Sequence, residues 1–245
     1  MILAAGQGTR LRPTTDTVPK ALVPVAGRAM IEYVLLLLRH YGIKDIIINL
    51  HHFGAQIESR LGDGKMLGLR ITYSREPELL DTGGGLLKAK SFLQDGAFIV
   101  INTDALIDVD LAALIDFHAK NAAAATLVLR PDPRADEYGS MDIDAQGRIC
   151  RFLHSTAPIT PSGQVVKLMF TGVQILDPSV FAHMENYAAS PKFSTTKDVY
   201  PRMLTDGARL FGFRFDGFWQ DVGTPERIRE AELKLQNAQA RLHYL

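Results

Sequence analysis

The feature that most restricts what this chain can fold into is the alternation of apolar runs and helix-period segments through its first half. Met1–Ala5, Asp45–Leu50, Leu69–Ser74 and Ala97–Asn102 read as strands, the last a continuous apolar run of the kind buried on both faces. Between them, Met30–Tyr41, Ala55–Leu61 and Thr82–Leu93 read as helices, with Ile31, Val34, Leu35 and Leu38 forming the apolar face of the first. Gly42 follows that helix at the position where a left-handed residue often closes the last turn. Asp110 stands as the cap of a further helix, with Leu111, Leu114, Ile115 and His118 at helical spacing. This βαβα rhythm predicts an α/β fold built on a mainly parallel, doubly wound sheet.

The rhythm changes after Ala122–Ala125. Thr126–Arg130, Tyr138–Asp144, Arg148–Leu153, Val165–Leu176 and Leu210–Phe215 read as strands, with one helix over Lys197–Leu204. The last helix opens at Thr224-Pro225-Glu226, where Thr caps, Pro takes the first helical position and Glu complements the dipole. It runs over Glu226–Leu242, with Ile228, Ala231, Leu235 and Ala238 in a stripe. That stripe packs on its own domain or against a second subunit, as in a homo-oligomer. No repeat or low-complexity linker divides the chain, so the second half reads as a small antiparallel extension of one domain.

Charge narrows the function classes. The 245 residues carry 27 Lys+Arg and 27 Asp+Glu, so no global field draws the chain to nucleic acid or membrane. Phosphate chemistry must therefore come from local placement of charge. Cys150 is the only cysteine, which excludes an intrachain disulfide and suits a reducing cytoplasm. The greasiest run, Val34–Leu38, is far too short to span a bilayer. No basic segment precedes Ile2-Leu3-Ala4-Ala5, and a first residue already inside a strand fits a chain lacking a residue or two at its start.

Leu3-Ala4-Ala5-Gly6-Gln7-Gly8-Thr9-Arg10 sets two glycines directly after the first strand. Such a turn lets backbone N–H groups approach a polyphosphate, with Arg10 as a charge-assisted donor. A dinucleotide fingerprint would want a glycine at Leu11 and a helix next, and Arg12-Pro13 follows instead; the P-loop triplet Gly-Lys-Ser/Thr is absent. Ten residues on, Pro19-Lys20-Ala21-Leu22-Val23-Pro24-Val25 sets a lysine between proline-stiffened flanks. His51-His52 is tempting as a metal pair, but neighbours on a strand point to opposite faces. Phe211, Phe213, Phe215, Phe218 and Trp219 lack an accompanying basic stripe and read as packing residues, not as a stacking platform for nucleic acid.

Taken together, the Leu3–Pro13 block and the Pro19–Val25 block strongly resemble the sugar-1-phosphate nucleotidyltransferases. The resemblance continues through Gly62-Asp63-Gly64, Asp81-Thr82-Gly83-Gly84-Gly85, Asn102-Thr103-Asp104 and Trp219-Gln220-Asp221-Val222-Gly223-Thr224, nearly end to end. It departs from the family at Ala21, usually Pro, and at Thr103, mostly Gly. The resemblance implies a Rossmann-like glycosyltransferase-A type mixed sheet flanked by helices. Residues 1–125 are then a nucleotide-binding half and 126–245 a sugar- and metal-binding half. It implies Mg2+-dependent attack of a sugar-phosphate oxygen on the α-phosphate of a nucleoside triphosphate, with Asp104 and Asp221 as metal ligands and Arg10 and Lys20 as the catalytic cations. Asp108 and Asp110 read instead as loop and cap residues.

By the same resemblance, Leu3, Ala4, Ala5, Gly6, Gly8, Thr9 and Arg10 bind the nucleotide, together with Glu76, Asp81, Thr82, Gly83 and Gly84. A Gly-Gly-Gly run lets a flat base lie against backbone, and its amides can donate to a uracil or guanine carbonyl. The Asp81–Gly85 form is similar to uridylyl- and guanylyltransferases of this family, which makes UTP and GTP the favoured donors, and Glu76 or Asp81 accepting from guanine N1 and N2 would favour GTP. Gly139 (with Tyr138), Thr171, Gly172 and Asp198 resemble the family's sugar-binding blocks. The family's sugar-phosphate lysine after the Gly147 turn is missing, which leaves Arg151 or Lys167 as replacements. Two other readings stand beside this one: a catalytically silent nucleotide-sensing relative, and a cytidylyltransferase acting on phosphocholine-like acceptors.

Overall fold

In the computed structural model, which describes residues 1–133, 135 and 139–245, the chain forms two compact units. The first is assembled from Met1–Leu79, Ile101–Val109 and Gly217–Leu245, the second from Leu80–Val100 and Asp110–Asp216. Tyr138, the expected first residue of the strand Tyr138–Asp144, lies outside the described residues. Among the described residues, no helix is long and apolar enough to cross a membrane.

The first unit holds β1 (Ile2–Leu3), the hairpin β2 (Pro24–Val25) and β3 (Arg28–Ala29), β4 (Asp45–Leu50) and β5 (Arg70–Arg75). The chain enters it again at the end of β6 (Phe98–Asn102) and continues into β7 (Ala105–Ile107). Parallel pairing sets β1 between β4 and β6: Ile2 lies beside both Ile48 and Ile101. β4 and β5 run in continuous parallel register from Asp45–Arg70 to Leu50–Arg75. Strand order therefore reverses at β1, and open α/β sheets bind ligands at such a switch point, beyond the carboxyl ends of the strands. Only Ile2–Leu3 of the expected Met1–Ala5 strand pairs, because the chain leaves the ladder to form the glycine loop. Helix α1 (Met30–His40) buries every residue from Met30 to Leu38 except Glu32, a wider apolar surface than the four-residue face expected. Gly42 is left-handed, φ 74°, as predicted. Helix α2 (Gly54–Leu61) follows β4.

The second unit begins with α3 (Asp81–Lys88) and α4 (Lys90–Leu93), so the single helix expected over Thr82–Leu93 is broken near Ala89. β6 is half-buried at Phe98 and Ile99 rather than buried on both faces throughout. In α5 (Leu111–Lys120) the cap is confirmed, since Asp110 Oδ1 accepts from the Ala113 N–H at 3.0 Å. Leu111, Leu114 and His118 are buried, whereas Ile115 is exposed. β8 (Ala125–Arg130) pairs antiparallel with β12 (Val166–Leu176) and parallel with β13 (Leu210–Arg214). β9 (Ser140–Ile143), β10 (Ile149–Phe152) and β11 (Ser155–Thr156) extend it as the predicted antiparallel addition. The helix expected over Lys197–Leu204 is one π-turn, Thr195–Val199, running into Tyr200–Thr205.

The last strand, β14 (Trp219–Asp221), and the helix Pro225–Gln236 belong to the first unit. That helix ends six residues before the expected Leu242, and Ala238 beyond it is left-handed, φ 52°. Of its expected stripe only Ala231 is fully buried; Ala238 is exposed.

Candidate active site

The glycine loop leaves β1 with Ala4 held by a buried polar relay. The Ala4 N–H donates to Asn49 Oδ1 at 2.8 Å, and Asn49 Nδ2 donates to Glu76 Oε1 at 2.8 Å. Gly8 is left-handed, and a side chain there would meet Lys20 Cβ and Thr15 Cγ2, both at 2.9 Å. Its carbonyl accepts from Thr15 Oγ1 at 2.8 Å and from the Leu11 N–H at 2.8 Å. The turn Thr9–Leu11 then buries Leu11, which anchors the loop and turns Arg10 outward. A glycine at position 8 is thus what allows the Lys20 stem to pack against the loop. Gly6 has no heavy atom within 4 Å of an added Cβ. Packing within the protein therefore gives no reason for a glycine there.

Lys20 opens a short turn behind Pro19, and its Nζ donates to Asp104 Oδ2 at 2.7 Å. Arg10 lies 3.9 Å from the same oxygen. Burial pushes the Asp104 carboxyl up, but the Lys20 charge and hydrogen bond, helped by Arg10, outweigh it and hold the group below the usual carboxylate range. Thr103 donates from Oγ1 to the Leu3 carbonyl at 3.3 Å, so it ties the Asp104 turn to β1.

Asp221 reaches the same place from the far end of the sequence. β14 pairs antiparallel with β7, setting Asp221 opposite Ala105, and the Val222 N–H donates to the Asp104 carbonyl at 2.9 Å. The carboxylate is 7% exposed; Oδ1 accepts from the Gly223 N–H at 2.5 Å, and Oδ2 pairs with Arg227 Nη1. A side chain at Gly223 would meet Arg10 Nη2 at 2.7 Å, so the Arg10 guanidinium lies directly against this turn. Thr224 caps the following helix with Pro225 in its first turn, as the sequence predicted. Arg10, Lys20, Asp104 and Asp221 are brought together within one unit, at the carboxyl ends of β1 and β6. Among the described residues no cluster of three or more His, Cys, Asp or Glu side chains offers a metal site. His51 and His52 contact different carbonyls, those of Glu76 and Thr15. Asp108 accepts from the His243 backbone N–H at 3.0 Å and pairs with its ring.

Several other predicted contacts turn out to be internal. Asp81–Gly84 lie in the second unit, where Asp81 is left-handed at the start of α3 and accepts from the Thr82 N–H at 2.6 Å. The amides of Gly83 and Gly84 were expected to face a base. Both donate instead to the Phe193 carbonyl, at 2.9 and 3.3 Å. An added Cβ on Gly83 would fall 2.4 Å from the Phe193 ring, and one on Gly84 2.0 Å from the Pro191 oxygen. The glycines are there so that Pro191–Phe193 can lie against the helix. Thr82 Oγ1 accepts from the Thr195 N–H at 2.9 Å. Glu76 is buried, and its Oε1 accepts from Asn49 Nδ2.

The sugar-side residues have structural work as well. Thr171 donates to the Val128 carbonyl at 2.9 Å, and Gly172, φ 91°, sits where the β8–β12 register shifts. Asp198 Oδ2 accepts from the Ser194 N–H at 2.7 Å, and Gly139 is left-handed ahead of β9. Arg151 is bound to Asp142 at 2.7 Å, and Lys167 stands opposite Asp142 in the ladder. Sequence reasoning missed Asn49 and Arg227. Asn49 carried a signal, a lone amide near the end of the apolar run Ile46-Ile47-Ile48; Arg227 did not, because nothing local marks its partner.

The nucleotidyl transferase family model matches residues 1–238. The chain is 32% identical over 236 residues to UTP–glucose-1-phosphate uridylyltransferase of Synechocystis sp., covering 91% of this chain and 59% of that protein. It is 34% identical over 229 residues to mannose-1-phosphate guanylyltransferase of Mycobacterium tuberculosis, covering 92% and 61%. Over 235 residues it is 34% identical to N-acetylmuramate α-1-phosphate uridylyltransferase of Neisseria meningitidis, covering 95% and 96%. It thus spans about three fifths of the first two relatives and nearly all of the third. The solved structure of HddC from Yersinia pseudotuberculosis superimposes with a TM-score of 0.77 at 25% identity, covering 96% of this chain and 97% of that one.

Proposed function

The chain belongs to the nucleotidyl transferase family, and on that premise we propose that it joins a nucleoside triphosphate to a sugar 1-phosphate. A sugar-phosphate oxygen bonds to the α-phosphorus as the bond from that phosphorus to the bridging α–β oxygen breaks, and pyrophosphate leaves. The observation that carries this reading is the convergence of Lys20, Arg10 and Asp104 beside the left-handed Gly8, at the switch point of the sheet. Nucleotidyl transfer needs positioning and neutralisation of charge on the phosphoryl oxygens, not a covalent nucleophile. Lys20 contacts the α-phosphate side and the sugar phosphate, and Arg10 with the loop amides holds the β- and γ-phosphates. The open space over Gly6 suits a base or ribose lying against its backbone.

Mg2+ takes one or two carboxylates together with phosphate and water oxygens. Asp104 and Asp221, joined through β7 and β14, fit that donor set and would hold the ion; bound there, it supplies further neutralisation of phosphate charge. Uridylyl and guanylyl donors are both named among the relatives, so UTP and GTP are the donors of choice. The test is a grid of four nucleoside triphosphates against a panel of sugar 1-phosphates with Mg2+, read by coupled pyrophosphate detection. UTP or GTP with at least one sugar 1-phosphate should release pyrophosphate; silence in every cell, from protein with a cooperative melt, would overturn the proposal.

A further inference from the structure

We propose that Arg227 is a built-in counter-ion for Asp221, which a divalent cation must displace before the carboxylate pair can hold it. The inference rests on the reading in which Asp104 and Asp221 are the metal ligands. A carboxylate as buried as Asp221 is unfavourable unless it is paired and hydrogen-bonded. Here one oxygen takes the Gly223 N–H and the other takes Arg227, which is anchored in the first turn of its helix by the Thr224 cap. Asp104 is matched in the same way by Lys20. Three cations, Lys20, Arg10 and Arg227, thus surround two carboxylates. Without substrate this cluster has no excess negative charge to attract a free divalent ion. An entering polyphosphate changes the balance, because it gives the arginines and the lysine a new anionic partner and leaves the carboxylates to the metal.

Binding of Mn2+ alone, without nucleotide, tests this. Free Mn2+ is followed by electron paramagnetic resonance during titration of the wild type, Arg227→Met, Arg227→Gln, Arg227→Lys and Asp221→Asn. Circular dichroism establishes that each variant is folded, and the two neutral variants guard against one of them misfolding. Both neutral variants should bind Mn2+ about five- to tenfold more tightly than the wild type, the scale of one partly exposed charge pair. Arg227→Lys, which keeps the charge, should stay within about twofold of it. Unchanged or weaker binding by the neutral variants overturns the counter-ion role, the weaker result marking Arg227 as a residue that orients Asp221. If Asp221→Asn leaves Mn2+ affinity untouched, the metal-ligand reading itself fails, an outcome separate from the first.

Discussion

Replacing Lys20 by methionine gives the sharpest test of the site. Methionine keeps most of the buried stem that packs beside Gly8 and Thr15, and it removes the ammonium 2.7 Å from Asp104. The Lys20 side chain is only 15% exposed, so its charge acts in a partly dehydrated setting where a preorganised cation is effective. Loss of one such group costs about 3–4 kcal/mol of transition-state stabilisation, roughly a 100- to 1000-fold fall in kcat. Stability should respond far less. The ion pair is worth about 1 kcal/mol with its partner 30% exposed, which corresponds to a melting shift of roughly 2–4 °C for a chain of this length. Pyrophosphate release at saturating substrates and a thermal melt on the same preparation separate the two effects. A variant with kcat within tenfold of the wild type refutes the assigned role. So does one in which only the KM for the nucleotide rises, since that marks ground-state binding and not transition-state stabilisation.

Other expected outcomes follow from the same geometry. Gly84→Ala drives a Cβ into the Pro191 carbonyl and should cost about 1–3 kcal/mol, seen as a lower urea midpoint with an unchanged m value; a neutral result would mean the 191–193 segment does not bear on α3. Gly223→Ala crowds both Arg10 and the Asp221 carboxylate and should lower turnover at least about tenfold while the melting temperature moves little; full activity would detach that turn from the site. Burial holds the His118 imidazole below its ordinary value of 6.5, with Asp177 partly opposing. Between the two values the unfolded chain binds more protons, so stability should fall as pH drops below that value. His118→Gln should flatten this slope in urea midpoints measured between about pH 7.5 and 5.5, and an unaltered slope would remove His118 as its source.

Much of the fold was legible because local pattern and tertiary environment agree. Ile46–Leu50, apolar except for Asn49, forms the buried part of the strand Asp45–Leu50, and the Thr224-Pro225 start is a capping signal that needs no distant partner. The glycine loop, Lys20, Asp104 and Asp221 were readable as motif blocks. What could not be read was whatever depends on a remote segment covering a site. The Gly83–Gly84 pair has the composition of a ligand-facing turn, yet Pro191–Phe193 lies on it. The register shift at Thr171 and Gly172 was equally hidden, because a β-bulge and a ligand loop use the same small, turn-forming residue types. Arg227 was invisible for the reverse reason. Its partner precedes the helix, and an arginine in a first turn ordinarily reads as a solvated surface charge.

The division of the chain also has a consequence for its synthesis. Every residue of the second unit has been synthesised once Asp216 is added, while the first unit still lacks Gly217–Leu245. Until then β7 has no β14 to pair with, and Asp104 stands without Asp221 or the turn that carries it. A nascent chain halted at that point holds a complete second unit and half of the carboxylate pair. Assembly of the carboxylate pair is thus tied to a stretch made after the whole of the second unit, and a chain ending at Asp216 lacks Asp221 and the turn that carries it.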